Sequence, residues 1–128
     1  MYFNMKKIKW VFMTFLLVAC TEGGKPREVM IRVQNLSSYD YENVVVSSGG
    51  PEYHFGNIPA NMTSDYILFE SAYSYAYVKV EIEGETLTLQ PIDYVGESYL
   101  NSGSYTFQVD VTGSGTDPGS LTNVLRKD

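Results

Sequence analysis

The sequence predicts an all-β domain, a single antiparallel β-sandwich of about seven short strands. Three observations support this prediction. From residue 28 onward, apolar residues recur at every second position, which is the period of a half-buried strand. Clusters of Gly, Pro, Asn and Ser divide the chain into segments of strand length. After residue 20, no segment has the period of an amphipathic helix. Short strands of this number and spacing are typical of two stacked sheets.

The strands are predicted from local patterns taken in chain order. They cover residues 29–33, 44–46, 53–58, 65–69, 73–83, 86–90 and 105–111. The first strand alternates Val29, Ile31 and Val33 with longer or polar residues. The run Val44–Val46 has no alternation, which predicts a strand that is buried on both faces or lies at the centre of a sheet.

The longest predicted strand runs from Tyr73 to Glu83, and its two faces differ. One face is apolar and consists of Ala76, Val78, Val80 and Ile82. The other carries Tyr73, Tyr75 and Tyr77, whose rings would stand about 6.6 Å apart along the strand. Gly84 then allows a tight reversal into the next strand, through either a Glu83-Gly84 or a Gly84-Glu85 loop.

The row of Tyr73, Tyr75 and Tyr77 is the candidate binding face, and three interpretations stay open. The rings could be covered by the chain's own loops, so that both faces of the strand are buried. They could contact a partner protein, because Tyr adds apolar area at little entropic cost. They could also stack on sugar rings, although Trp10 is the single Trp of the chain and lies outside this region.

The segment Leu100-Asn-Ser-Gly103-Ser-Tyr105 precedes the last predicted strand. It resembles the L-x-x-G-x-Y corner at the start of a late strand in immunoglobulin-like and transthyretin-like sandwiches. In those folds the Tyr hydroxyl hydrogen-bonds back to the preceding loop and ties the two sheets together. The resemblance implies a structural role for Leu100, Gly103 and Tyr105, with the Tyr105 ring in the core.

Residues 1–19 have the composition of an export leader. Three lysines precede an apolar run from Trp10 to Ala19. A helix of ten residues rises about 15 Å, half of the roughly 30 Å hydrocarbon core of a bilayer. The run therefore predicts a cleaved signal peptide rather than a membrane span. Translation could start at Met1 or at Met5.

The apolar run ends in Leu17-Val18-Ala19-Cys20, which resembles the lipobox of bacterial lipoproteins. In that family a diacylglycerol is attached to the Cys sulfur and the leader is cut before the Cys. The resemblance implies that Cys20 becomes the lipidated first residue, which anchors the protein to a membrane of the bacterial cell envelope. We expect the outer membrane, with the periplasmic and the surface face both left open.

Changes in composition divide the rest of the chain. Residues 20–27 are predicted to be the lipidated Cys and a flexible tether, and residues 28–112 the β-sandwich. Residues 113–128 begin with a Gly-rich stretch and are predicted to be either a flexible tail or an edge strand. Of these two, the low complexity of the stretch favours a loosely held tail.

The charged and nucleophilic residues exclude several functions. Removal of residues 1–19 deletes three Lys and no acid, which leaves 6 basic and 15 acidic residues and a net charge of −9. Such a charge argues against nucleic acid as a partner. His54 is the single His, and neither a G-x-S-x-G nor an S-x-x-K motif occurs, so we predict no catalytic residue. One imidazole and no calcium-loop motif also predict no metal site and no cofactor.

Taken together, these features predict a non-enzymatic binding or assembly module held on a membrane by its lipid. The chain resembles small lipoproteins of the bacterial envelope, a group with no single activity that could be transferred to its residues. The expected partner is an unspecified protein or a glycan, reached through a sheet face or an exposed edge strand. The alternatives are a carbohydrate-binding module that uses the Tyr row and, less favoured, a small hydrolase built on His54.

Overall fold

The computed structural model describes residues 28–91, 98–114 and 117–128, without the side chains of residues 114–118. The predicted leader, Cys20 and the tether lie outside the described residues. The strands are β1 (Val29–Asn35), β2 (Tyr41–Ser47), β3 (Glu52–Ile58), β4 (Ile67–Phe69), β5 (Tyr77–Ile82), β6 (Glu85–Leu89), β7 (Gly103–Ser114) and β8 (Asp117–Lys127). Nothing in the described ranges forms a helix long and apolar enough to cross a bilayer.

The eight strands form two sheets of four strands each. The first sheet has the order β4-β1-β7-β8 and the second the order β3-β2-β5-β6. One pair departs from the predicted antiparallel arrangement, because β1 and β7 run parallel from Val29 opposite Gly103 to Asn35 opposite Val109. The alternation of apolar residues indicates which side chains are buried, but it does not indicate the direction of a distant partner strand.

The two sheets enclose one hydrophobic core. In β1 and β5 every second residue is buried, as the alternation predicts. All three valines from Val44 to Val46 are buried. Val44 and Val46 belong to the core cluster, and Val45 is flanked by His54 of β3 and Lys79 of β5, because β2 is a central strand of its sheet. The predicted all-β fold with a central valine strand is confirmed.

The strand predicted from Tyr73 to Glu83 is shorter in the structure, where β5 begins at Tyr77. The buried Ser48 side chain forms hydrogen bonds with backbone groups of the segment that precedes β5. Its Oγ accepts a hydrogen bond from the N–H of Tyr73 at 2.8 Å and donates one to the C=O of Tyr75 at 2.8 Å. This side chain replaces ladder hydrogen bonds that a strand would make, which period-two patterning does not reveal.

The β5–β6 hairpin uses the first of the two loops that the sequence allowed. Glu83 and Gly84 have φ values of 50° and 85°. Two successive positive φ values suit a two-residue turn that matches the twist of the flanking strands. In this register Leu87 lies opposite Val80 and Leu89 lies opposite Val78.

The C-terminal segment is an edge strand, which corrects the favoured prediction of a loose tail at residues 113–128. β8 pairs antiparallel with β7, from Tyr105 opposite Lys127 to Ser114 opposite Asp117. Leu121 belongs to the core cluster, and Leu125 packs against it. Pairing with β7 supplies the hydrogen bonds and the buried surface that a Gly-rich stretch cannot supply locally. The sandwich therefore extends beyond residue 112 to the end of β8.

Candidate functional site

The predicted tyrosine face does not form a single row. Tyr77 is the first residue of β5, whereas Tyr73 and Tyr75 precede the strand. Each of the three side chains is half-buried. Because only one ring stands on the sheet, the expected regular spacing along one strand is wrong, and the rings have separate surroundings.

Tyr73 packs against the protein's own loops. Its ring stacks on the Tyr99 ring with centroids 4.6 Å apart. The same ring occupies the space that a Cβ on Gly49 would need, and Gly49 has a φ of 79°. The Tyr73 ring therefore packs between loops of the same chain. This agrees with the interpretation in which the protein covers its own tyrosine rings.

Tyr75 lines a groove at one open edge of the sandwich, which we call the β6/β8 groove. The groove lies where the end of β6 and the residues before β5 approach β8, and its volume is about 430 Å³. Its lining consists of Ser74, Tyr75, Ala76, Leu89, Gln90, Pro91 and Asn123. None of these described side chains is charged at neutral pH, so the groove suits an uncharged, partly apolar group.

Asn123 is a groove residue that the sequence reading missed. It lies on β8 opposite Val109, between Leu121 and Leu125 in the stripe that faces the sandwich interior. Its Oδ1 is buried, and no donor among the described residues is within hydrogen-bond distance of it. A polar residue in an inward apolar stripe is a recognisable signal. The position of Asn123 in such a stripe can be recognised only when residues 117–127 are known to form a strand.

The other edge of the sandwich, between β3 and β4, is partly filled by aromatic rings. Tyr53 stacks on Phe69 with centroids 3.9 Å apart. The Tyr53 hydroxyl accepts the N–H of Glu70 at 3.1 Å. Phe55 adds a tilted contact with Phe69 at 6.2 Å. These rings fill only part of the inter-sheet space at this edge, and the groove that remains between His54 and Ile67 is lined mainly by polar residues. The β6/β8 groove has an apolar wall of Leu89 and Pro91, so it is the better candidate for holding an apolar group.

The corner at Tyr105 lies beside the core. Tyr105 is buried, and its hydroxyl donates to the C=O of Asn101 at 2.8 Å. Leu100 packs against the core, and its N–H donates to the C=O of Ala72 at 2.7 Å. Gly103 begins β7, and its N–H donates to the C=O of Glu28 at 3.0 Å. These contacts hold the loop before β7 against the start of the fold.

His54 is exposed on β3 and borders a second groove of about 440 Å³, whose lining includes Ser64 and Asp65. These are the three residue types that a small hydrolase would need. The Ser64 hydroxyl, however, accepts the N–H of Val33 at 2.9 Å and donates to the C=O of Asp65 at 2.9 Å. Both hydrogen bonds of the Ser64 hydroxyl are therefore made with the backbone, and in the described part of the chain Ser64 has no hydrogen bond to His54. The arrangement therefore lacks the contact that activates a nucleophile.

The outer face of the β4-β1-β7-β8 sheet carries a network of polar side chains that satisfy one another. Asp128 accepts hydrogen bonds from the hydroxyls of Tyr66 and Thr106 and lies 3.7 Å from Nε of Arg32. The hydrogen bond from Tyr66 lowers the pKa of Asp128, and the same bond raises the pKa of Tyr66. Within residues 28–91, 98–114 and 117–128, no group of three or more His, Cys, Asp or Glu could hold a metal ion.

Comparisons with known proteins agree with the fold. No family model matches the sequence, and no curated protein matches it. The chain is similar to a protein from Eubacterium rectale whose structure was determined by NMR, with a TM-score of 0.55 and 12% sequence identity. The similarity covers 83% of this chain and 97% of that one. At this identity, the similarity shows a shared fold and carries no functional information.

Proposed function

We propose that this protein is a membrane-anchored, non-enzymatic binding module that holds an extended segment of a partner protein at the β6/β8 groove. The observation that carries the proposal is an open groove whose described lining is uncharged and which is flanked by the outer strands of both sheets. β6 and β8 each have one strand neighbour in the described part of the chain, so each offers a second edge. An extended segment that adds to such an edge gains main-chain hydrogen bonds, while alternate side chains enter the groove.

The groove suits weak, selective binding of this kind. Leu89 and Pro91 form an apolar wall, against which one Val or Leu side chain of the partner would gain about 1.5–3 kcal/mol. Each main-chain hydrogen bond to the edge adds about 0.5–1.5 kcal/mol net. Association itself costs about 4 kcal/mol or more. These terms nearly cancel, so we expect a short segment to bind weakly, with a Kd in the millimolar range.

The lipobox resemblance at Cys20 supports the anchor. Acyl chains contribute about 0.8 kcal/mol per buried methylene, so a multiply acylated Cys20 would hold the domain stably at a membrane. The eight residues from Cys20 to the start of the sandwich at Glu28 extend to at most about 27 Å. On this basis we place the domain beside a membrane of the bacterial envelope, the outer membrane being the one we propose.

Of the two fold types that the Tyr105 corner resembles, we propose the transthyretin-like type. In immunoglobulin-like sandwiches the first strand shares a sheet with the second. Here β1 lies between β4 and β7, and β2 belongs to the other sheet. The parallel β1–β7 pair and the two sheets of four strands support the same choice.

A peptide titration tests the binding mode. The full chain in detergent micelles is titrated with the capped hexapeptide acetyl-TVTVTV-amide and followed by amide NMR spectra. We expect saturable shifts along β6 and β8. Leu89→Arg, which places a charge in the groove, should weaken binding at least tenfold. The matched control Leu68→Arg, at an exposed position of β4, should leave the affinity unchanged. Absence of saturable shifts on β6 and β8, or equal losses in both variants, would refute the proposal.

A carbohydrate-binding function is the second candidate, because the groove combines a Tyr ring with amide side chains. Tyr75 could stack on a sugar while Gln90 and Asn123 meet its hydroxyl groups. Tyr75→Ala should then reduce glycan retention in affinity electrophoresis and leave the Tm nearly unchanged. If the substitution unfolds the domain instead, the ring is part of the core and the sugar hypothesis fails.

A further inference from the structure

The edge of the sandwich opposite the β6/β8 groove holds the second groove, of about 440 Å³, which we call the β3/β4 groove. Strand β3 forms one side of it, and the segment that leads into β4 forms the other. Besides Ser64, the lining consists of four polar and two apolar residues, which are His54, Asn57, Thr63, Asp65, Phe55 and Ile67.

The four polar side chains are within reach of a ligand, because His54, Asn57, Thr63 and Asp65 are all exposed. In the part of the chain that the structure describes, no hydrogen bond is made to the His54 ring, the Thr63 hydroxyl or the Asp65 carboxylate. These three groups are therefore available to a bound molecule.

The β4 side of the groove is fixed by backbone hydrogen bonds. The N–H of Ser64 donates to the C=O of Val33 at 2.8 Å, and the Ser64 Oγ accepts the N–H of Val33 at 2.9 Å. Thr63 and Asp65 flank Ser64, so both residues are held against β1. Fixed positions reduce the entropy that binding would cost.

The polar groups of the groove include both donors and acceptors. The Oδ1 of Asn57 accepts the N–H of Asn43 at 3.0 Å, which leaves the NH₂ group of Asn57 as a donor. The Asp65 carboxylate only accepts, whereas the Thr63 hydroxyl and a neutral His54 ring do both. An alcohol hydroxyl also donates and accepts, so a molecule with several hydroxyls can match every one of these groups.

The apolar part of the groove suits a ring. Phe55 and Ile67 are half-buried and pack against the core cluster, so their inner sides are fixed. Apolar surface beside a few directed polar groups is typical of small-molecule sites. A sugar ring has the matching shape, because its C–H groups form an apolar face and its hydroxyls surround the edge.

Two other ligand classes fit this groove less well. An added peptide strand needs a long regular edge, but β4 has three residues, and the β2–β3 register shifts beside Gly56, which has a φ of 76°. An anion would meet the Asp65 carboxylate and a chain with a net charge of −6.

We propose that the β3/β4 groove binds a neutral sugar unit of a glycan. The C–H face of the ring packs on Phe55 and Ile67, and its hydroxyls hydrogen-bond to Asp65, Thr63 and Asn57. This site goes beyond the function proposed above, which concerns the opposite edge of the sandwich. The domain would then hold a protein segment at one edge and a glycan at the other.

An NMR titration tests the site with the full chain in phosphocholine micelles, whose headgroups carry no sugar. The probes are the methyl glycosides of glucose, galactose and mannose. At least one should give saturable amide shifts at residues 54–57 and 63–67, with a Kd in the millimolar range. Methoxycyclohexane, which keeps a ring and lacks the hydroxyls, should give none. If no glycoside shifts these residues, or if the shifts lie only in the β6/β8 groove, the proposal is overturned.

A matched pair of substitutions identifies the hydroxyl contact. Thr63→Ala removes one neutral hydrogen bond and should weaken sugar binding about fivefold. Thr122→Ala makes the same change at an exposed position of β8 and should leave the Kd unchanged. Asp65→Ala removes a charged acceptor, so the loss should be at least tenfold. The Tm should stay nearly constant in all three variants. An unchanged Kd in Asp65→Ala, or equal losses in the two Thr variants, would contradict the proposal.

Charged analogues of the bound glycoside test the preference for a neutral sugar. The corresponding uronic acid should bind at least threefold more weakly, because its carboxylate meets Asp65. The corresponding amino sugar should gain little, because ion pairs with an exposed carboxylate contribute little. A tenfold gain for either analogue would show that the groove selects a charge, and it would overturn the proposal. None of these outcomes depends on hexapeptide binding at the β6/β8 groove.

Discussion

Replacing Tyr41 by Phe removes one hydrogen bond between the two sheets. The buried Tyr41 hydroxyl donates to the C=O of Val109 at 2.9 Å. This carbonyl also accepts the N–H of Leu36 at 2.9 Å, so the substitution leaves it with one partner. The expected loss is therefore one net hydrogen bond, about 1 kcal/mol, rather than the larger cost of an orphaned carbonyl. For a domain of this size, scanning calorimetry should show a Tm about 4–6 °C lower.

The same substitution has a pH dependence whose sign follows from burial. Desolvation raises the pKa of Tyr41 to about 12, whereas an unfolded chain titrates near 10. The folded state therefore holds the hydroxyl proton more tightly. This contribution to stability is complete below pH 10 and is lost as the pH rises toward 12, by at most about 1.4 kcal/mol per pH unit. In urea unfolding, the stability gap between wild type and Tyr41→Phe should close at about pH 11.

Tyr66→Phe is the matched control for the calorimetry. It makes the same chemical change at an exposed side chain whose hydroxyl bonds to Asp128 on the surface, so the Tm should change little. An unchanged Tm in Tyr41→Phe, or a stability gap that is constant from pH 9 to about pH 11, would show that the inter-sheet hydrogen bond does not carry the stability assigned to it.

Three further substitutions test other parts of the reasoning. Tyr105→Phe removes the hydrogen bond to the C=O of Asn101 and should lower the free energy of unfolding by about 1 kcal/mol in urea titrations. Gly49→Ala adds a Cβ at a positive φ against the Tyr73 ring and should destabilise by more than about 1 kcal/mol; an unchanged urea midpoint would contradict this packing. Cys20→Ser should release the protein from membranes in fractionation, and intact mass should show that acyl chains are lost; continued membrane binding would contradict the lipid anchor.

The fold could be predicted wherever the burial of a residue follows from the pattern of its neighbours in the sequence. The alternation from Ala76 to Ile82 and the valines of β2 identified buried positions correctly, because a strand places successive side chains on opposite faces. The turn at Gly84 was predicted as a tight reversal, although only the structure chose between the two loops. Burial and reversals depend on a few neighbouring residues, so a pattern of ten residues is enough to reveal them.

The candidate site could be predicted only in part. Tyr75 was predicted as part of a row of tyrosines on one strand. The row was wrong, because hydrogen bonds to Ser48 hold the backbone of Tyr73 and Tyr75 outside the sheet. Asn123 was missed because its segment was read as a loose tail. Its meaning depends on pairing with β7, which places it between two inward leucines.

By itself, the sequence determined an all-β chain and its apolar core positions, and it predicts a leader that ends at the lipobox-like Cys20. Only the tertiary structure decided that β1 runs parallel to β7, that the last residues complete a sheet, and that Tyr75, Leu89 and Asn123 share one groove. The reason is physical. Patterning along the chain records which side of a strand is buried, whereas the choice of partner strands is made by packing between residues that are far apart in sequence.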